Sequence, residues 1–406
     1  MNKPLGSAKS LIRHSSWGPG NANRAARFVL PLAVKLAFRN LLQDRLRFIA
    51  TVIGIVFSIV LVTIQMGLFL SFERMVTAII DHASADLWIV SKGVQCFEDP
   101  SNLDARDRDE ALAVPGVVSA IPVVIGFANW AKPSGGTTPV LVIGSNPNEP
   151  GLHPWNLIQG RPAALANSDS VAIDRTYFGR LGVHDLGDRT EIRDQKVEVV
   201  AVTSGIRSFT TTPYVFTSLP TAHTYTAVPP NRVSYLLVDL KPGTDKGAVR
   251  QQLLRRLSKV EILTTKEFSS RSRAFWLFGT GAGAALFAGA LLGIIVGTVI
   301  IAQTLYASAK DHVKEFATLR AIGASNSYIL KVIISQAIFG AIVGFSLAGG
   351  IGLAIVVWTA STALPIVMPP ELALALLVLT ILMCVASATA AIAHVLRIDP
   401  MMAFRQ

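Results

Sequence analysis

Charge is scarce in this sequence. Only 16% of its 406 residues are Asp, Glu, Lys or Arg, where a soluble protein carries about 25%. Cysteine is scarcer still. Cys96 lies in a polar region and Cys384 in an apolar run; the two are not placed to form a disulfide, and neither has the spacing of a zinc or redox motif. A phosphate-binding Gly-x-x-x-x-Gly-Lys-Ser/Thr loop is missing, so the chain has no Walker site for ATP. A Gly-x-Ser-x-Gly nucleophile elbow is missing as well. The histidines at 82, 153, 184 and 223 lack metal-ligand spacing. No catalytic residue, bound cofactor or metal site is expected. A cleavable signal is not expected either: the first strongly apolar stretch starts near Phe48, too deep in the chain, and no small-residue cleavage site ends it.

What the sequence has is long apolar blocks. Phe48 to Leu70 runs 23 residues without a charge, and a hydrocarbon core of ~30 Å needs ~20 helical residues. Ala274 to Ala309 is a second uncharged stretch of 36 residues. At ~1.5 Å per residue that is roughly 54 Å, too long for the bilayer alone, so it is expected to continue as a helix beyond the membrane. Val332 to Pro370 is a third stretch, broken towards Pro365, Pro369 and Pro370, and Leu372 to Leu396 is a fourth. His394 and Gln336 fall near span ends and read as interfacial. The expected spans are 48–71, 274–308, 331–358 and 372–396.

The basic residues orient them. Residues 1–47, the 305–331 connection and the tail after 396 together hold 15 Lys and Arg against 4 acids, a net of +11 that accounts for the whole formal charge. Residues 72–274 are nearly neutral, with 22 basic and 21 acidic residues. By the positive-inside rule both termini and the 309–330 loop are cytoplasmic, and the large domain and the short 359–371 turn are outside. The charge thus reads as membrane topology and lipid attraction, not nucleic-acid binding. Residues 1–30 read as a flexible basic tail. Pro31 to Arg47 is amphipathic, with Val34, Phe38, Leu41 and Leu42 on one face; it either lies at the headgroups or lengthens the first span.

The domain at 72–273 has ordinary globular composition. Strands are expected at Asp86–Val90, Val117–Ala128, Val140–Gly144, Lys196–Thr203 and Val233–Leu240. A helix from Lys246 to Leu257 and a strand at Val260–Thr264 complete a β-α-β unit. A helix is also expected over Asp104–Leu112, whose Asp104/Asp107/Asp109/Glu110 cluster lacks the spaced ligands of a calcium loop and reads as a solvated helix start. The fold class is therefore a four-helix membrane protein with a large α+β extracytoplasmic domain between the first and second spans. Within the spans, Gly289, Gly293 and Gly297 form one stripe of small residues and Gly340 and Gly344 another. Such stripes allow close helix approach, either within one subunit or at a dimer seam.

Ala309–Ser325 reads Ala-Lys-Asp-His-Val-Lys-Glu-Phe-Ala-Thr-Leu-Arg-Ala-Ile-Gly-Ala-Ser. It resembles the Glu-xxx-Leu-Arg-Ala-Ile-Gly-Ala signature of FtsX/MacB-type ABC transporter permeases. Leu36-Ala-Phe-Arg-Asn-Leu-Leu, with Gly54 in the first span, and the ending Ile398-Asp-Pro-Met-Met-Ala-Phe-Arg405 are similar to that family too. So is the order of span, large domain and three spans. Ala85-Asp-Leu-Trp-Ile-Val, Val114-Pro-Gly-Val-Val-Ser and Ile125-Gly-Phe-Ala-Asn-Trp130 look like its DevC branch.

The resemblance implies an exporter built from a permease homodimer and a separate ATPase subunit that binds the ATP. It also implies a membrane-fusion adaptor and an outer-membrane duct, in the inner membrane, with a lipophilic or amphiphilic substrate. It makes 309–330 a coupling helix and loop, with Lys314, Glu315, Leu319, Arg320, Ile322 and Gly323 as its contact residues. Leu319 and Ile322 offer apolar contact, and Gly323 sits where a helix end favours a left-handed residue. Glu315 and Arg320, five apart, point to different faces. The same architecture serves two other roles in the family: an FtsX-like transducer that regulates an external partner, and a lipoprotein-releasing permease.

Overall fold

The computed structural model describes residues 45–312, 315, 318, 322 and 325–395. The basic tail, most of the amphipathic segment before the first span, and the chain after 395 lie outside them. The first helix, α1 (Arg45–His82), is 38 residues long, roughly 57 Å at ~1.5 Å per residue. The first span was expected to end at 71, yet Glu73 and Arg74 do not stop the helix. The outer two turns find a second core: Met75, Val76, Ile79 and Ile80 are buried against the inserted domain.

That domain starts with β1 (Leu87–Ser91), β2 (Leu103–Asp104), α2 (Asp107–Leu112), β3 (Val117–Ala131) and β4 (Thr137–Ser145). It continues through β5 (Leu157–Gly160), β6 (Ser170–Asp174), α3 (Phe178–Leu181), β7 (Arg189–Ile192), β8 (Gln195–Thr203), β9 (Tyr214–Ser218) and α4 (Leu219–Thr226). It ends with β10 (Arg232–Val233), β11 (Tyr235–Leu240), α5 (Lys246–Arg256), β12 (Val260–Thr264) and α6 (Thr265–Ala274). The strand order β12-β1-β11-β3-β4-β9-β6-β8-β5 divides at β3. Residues 117–123 of β3 pair with β11, and residues 124–131 pair with β4.

The first lobe, β12-β1-β11 and the start of β3, is a split β-α-β unit. β11 and β12 flank β1 and both run antiparallel to it, with α5 crossing between them. In the second lobe β7 pairs with both β3 and β8, so the ring β3-β4-β9-β6-β8-β7 closes into a small barrel without a free edge. Trp130 fills its interior, and its indole N–H donates to the Leu181 carbonyl at 3.0 Å. In the first lobe, period-2 alternation sends Leu87 and Ile89 to the α2/α5 side and Trp88 and Val90 to the α1/α6 side.

The second uncharged stretch is not one helix, which corrects the expectation. α6 begins on a capping box, with Thr264 Oγ1 accepting from Glu267 N and Glu267 accepting from Thr264 N. It runs into a π-turn, Phe275–Gly279. The chain then breaks at Gly281, whose φ of +78° suits glycine, before α7 (Ala282–Asp311). The helix that runs unbroken from the bundle into the inserted domain is therefore α1, with α6 packed beside its domain end.

α8 (Asn326–Thr359) starts on Ser325, whose side chain accepts from Tyr328 N. α9 (Pro370–Val395) starts with proline, which has no N–H to lose, and Glu371 in its first turn offsets the helix dipole. In the bundle α1 packs on α7 and α8, and α9 packs on the same two from the other side. Gly289, Gly293 and Gly297 all face α1: a methyl on Gly289 would sit 2.6 Å from Gln65 Nε2, one on Gly293 3.1 Å from Val62, and one on Gly297 would collide with Ser58. Ser58 Oγ donates to the Gly293 carbonyl at 2.6 Å across this seam. Gly344 faces Ile55 of α1 within van der Waals overlap, and Gly340 lies 3.8 Å from the same side chain. Both stripes thus pack within the subunit.

Candidate functional site

Two places join distant parts of the chain. The first is the junction between the inserted domain and the spans. The loop between β8 and β9 reaches down to it. Phe209 on that loop stacks edge-on against Phe72 of α1, with ring centroids 5.0 Å apart, and tilts against Trp276 of the π-turn at 4.4 Å. Met75 and Val76 complete the apolar patch. Two residues earlier, an Arg207 guanidinium N–H donates to the Ala360 carbonyl at the end of α8 at 2.6 Å. One short loop therefore touches α1, the lead-in to α7 and the end of α8.

Beneath it lies a buried carboxyl. Glu98 is 7% exposed. It accepts from the Tyr214 hydroxyl on β9 at 3.2 Å and from the Trp276 indole N–H at 3.1 Å. Burial pushes its carboxyl up to about 7, against the pull of those two donors and of its own backbone N–H. The same burial, with the Glu98 charge nearby, drives Tyr214 and Tyr235 well above the usual phenol range. It lifts the Cys96 thiol to about 12. Cys96 is fully enclosed, so it is an inert core residue.

Outside the π-turn the domain is fastened to the spans by an ion pair, a hydrogen bond and close packing. Arg273 pairs with Glu73 at 3.4 Å, and Ser269 donates to Asp81 at 2.5 Å, tying α6 to α1. On the opposite side of α1, Gly67 makes room for the loop after α8: a methyl there would sit 2.6 Å from Ile366 and 2.8 Å from the Val367 carbonyl.

The second place is the far end of the bundle. Arg47 of α1 forms an ion pair with Asp311 of α7 and donates to the Ala307 carbonyl at 3.2 Å. Directly after Asp311 comes the segment with the Glu-xxx-Leu-Arg-Ala-Ile-Gly-Ala pattern. Glu315 pairs with His312 one turn back at 3.1 Å. Ile322 is 81% exposed and its N–H donates to Thr318 O at 3.1 Å, which is helical spacing. Lys314, Leu319, Arg320 and Gly323 lie outside the described residues.

The residues of the base were singled out from the sequence because they form a contiguous motif, of which Glu315 and Ile322 are among the described residues. Those of the junction were not: Glu98, Phe209 and Arg207 are isolated letters with no spacing signal. The aromatic run Phe275-Trp276-Leu277-Phe278 was the one available sign, since aromatic residues gather where a span meets the interface. Among the described residues no group of His, Cys, Asp and Glu is arranged to hold a metal.

Comparison with known proteins places these elements. The MacB-like periplasmic core domain matches residues 48–256, more than half of the chain, and the FtsX-like permease C-terminal domain matches residues 277–400. No curated protein matches. Similar solved structures include the periplasmic region of MacB from Actinobacillus actinomycetemcomitans, with 12% identity over 47% of this chain and 94% of that one at a TM-score of 0.36. Another is the extracellular domain of the noncanonical ABC-type transporter YknZ from Gram-positive bacteria, with 14% identity over 44% of this chain and 99% of that one at 0.34. A domain of a permease protein from Porphyromonas gingivalis aligns at 18% identity over 44% of this chain and 88% of that one at 0.30. With four spans, an inserted MacB-like domain and an FtsX-like second half, the chain belongs to the FtsX/MacB-type family of ABC transporter permeases.

Proposed function

We propose that this chain is the non-catalytic membrane subunit of an exporter that works by displacement rather than by a cavity within the spans. Membership of the family brings an ABC ATPase as partner. In this reading two copies of the chain meet two copies of the ATPase, both termini are cytoplasmic, and the ATPase grips the segment 309–330. Closure on ATP moves that segment. Arg47 and Asp311 carry the movement into α1, and α1 carries it without a break to the domain 72–273. The domain then drives a lipophilic or amphiphilic substrate outward through an adaptor and an outer-membrane duct.

The observation that supports this reading best is the continuity of α1. Its 38 residues link the base pair Arg47–Asp311 to the buried outer turns at Ile79 and Ile80. Rigid secondary-structure elements are among the structures that carry coupling between distant sites. The bundle interior suits such a role: Ile55, Ile59, Ile301, Ile333, Ala341 and Cys384 close it with apolar side chains.

The test is export by the reconstituted pair of permease and ATPase, with and without the adaptor. Export that stops when the adaptor is withdrawn supports the reading. ATP-dependent release of an external hydrolase or of a lipoprotein, unaffected by the adaptor, would assign the chain to the transducer or lipoprotein-releasing role instead.

A further inference from the structure

The junction holds a feature that mechanical coupling alone does not need. A tie between Tyr214 and Trp276 can be made by any neutral acceptor, yet the group placed there is a carboxyl, buried, and with no cation among its hydrogen-bond or ion-pair partners in the described residues. Buried acids are rare and are normally paired. Among the described residues, the groups that interact with it are neutral or acidic, and Arg271 of α6, which donates to the Val94 carbonyl on the same loop, is paired with Glu261. Cys96 and Asp99 share its loop, Tyr214 comes from β9, and Tyr235 from β11. From the spans comes the indole of Trp276. The nearest cation on that element, Arg273, is engaged by Glu73.

The position of the second donor adds to this. Trp276 sits in a π-turn, a form common at functional sites, and five residues before the break at Gly281. It meets both the Phe209 loop and the buried carboxyl. If the junction parts, water reaches Glu98; if it closes, the carboxyl is sealed off.

We propose that Glu98 is a proton-operated latch: a proton on its carboxyl holds the inserted domain down on the lead-in to the second span, and loss of that proton favours parting of the junction. The sign follows from desolvation. An ionised carboxylate buried among neutral donors is costly, and the cost disappears on hydration. The closed junction therefore binds the proton more tightly than the open one, and by linkage the proton stabilises the closed junction. The proton has an acceptor inside, since the Tyr214 hydroxyl can accept from Glu98 while the Trp276 N–H stays on the carbonyl oxygen. The structural latch stands on the junction alone. Its effect on ATPase coupling rests on the function proposed above.

The test uses the full-length protein in lipid nanodiscs, without ATPase or substrate, and titrates protons only. Amide hydrogen exchange is followed in 204–213 and 272–281 from about pH 5.5 to about pH 8.5, corrected for intrinsic rates. In the wild type, exchange of both segments should rise by up to about tenfold per pH unit as the pH climbs towards 7, where the carboxyl of the closed junction ionises, and should level off above it. Glu98→Gln, neutral at every pH and close in shape, should remain slow and flat. Trp276→Phe removes one donor to the charged form and should move the levelling-off to higher pH. A flat wild type, or a Glu98→Gln variant that follows the wild type through the same rise, would overturn the latch. A failure of ATPase coupling with this exchange pattern intact would count against the proposed function and leave the latch standing.

Discussion

The indole N–H of Trp276 donates to Glu98 Oε2 at 3.1 Å, across 178 residues of sequence. This one bond joins the loop after β1 to the turn that leads into the second span. It has a thermodynamic consequence. Burial raises the Glu98 carboxyl from about 4.5 to about 7, so its contribution to stability is complete below about pH 4.5 and is lost as the pH rises through about 7. Glu98→Gln lacks that loss. Near pH 5 the two proteins should unfold alike, and near pH 9 the variant should be the more stable by about 3 kcal/mol. Thermal unfolding in detergent at the two pH values measures it, and a gap that does not change with pH would contradict the burial argument.

Phe209 is the mechanical counterpart. Phe209→Ala removes its contacts with Phe72 and Trp276 and should cost about 3 kcal/mol, the usual range for a buried Phe→Ala change. Phe209→Leu keeps most of the apolar volume and should cost about 1 kcal/mol. Denaturant unfolding of both variants checks the order. Equal stability of Phe209→Ala and the wild type would mean that the loop is not fastened there.

The glycine stripes were legible as close-approach surfaces, but which helix they approached was not. Spacing of four gives a face and no partner, and both stripes turn out to meet α1. Gly297→Leu should therefore destabilise the single subunit by about 1–3 kcal/mol through overpacking on Ser58. Gly349→Ala, with open space around it, should be neutral. Unfolding at concentrations where the protein is monomeric tests this; an effect seen only in the dimer would relocate the stripe to a subunit seam.

The spans and the long strands were readable because hydrophobic length and alternation are local properties. The helix at Lys246, the strand at Val260–Thr264 and the pattern of β3 appear where expected. The strands β5, β6, β7 and β9 were not foreseen. Leu157–Gly160 and Arg189–Ile192 are short and polar on one side, while Ser170–Asp174 and Tyr214–Ser218 are fully buried, so neither pair alternates over enough residues to announce a strand. The break at Gly281 was hidden for a related reason: hydropathy is blind to a left-handed residue inside an apolar run. The junction was the least legible part, since its residues meet only through the fold.

Topology is testable with cysteine. Native Cys96 is fully enclosed, so an impermeant thiol reagent should leave it unmodified whichever side it faces, and the burial corrects any use of it as a reporter. Ser134 is exposed on the turn after β3. Ser134→Cys should be modified from outside intact cells within minutes, at a rate about that of a free thiol. Modification only after the cells are opened would invert the assignment.

The most direct measurement concerns Glu315 at the base of the bundle, paired with His312 and half-exposed. Glu315→Lys reverses a charge in the segment that the ATPase is proposed to grip and touches nothing in the domain or the span interior. With the permease and its ATPase reconstituted in lipid, the permease-dependent part of ATP hydrolysis should fall at least about tenfold, equivalent to about 1.4 kcal/mol, while insertion and unfolding temperature stay as in the wild type. Unchanged stimulation by the variant would contradict the claim that this segment is where the motor takes hold.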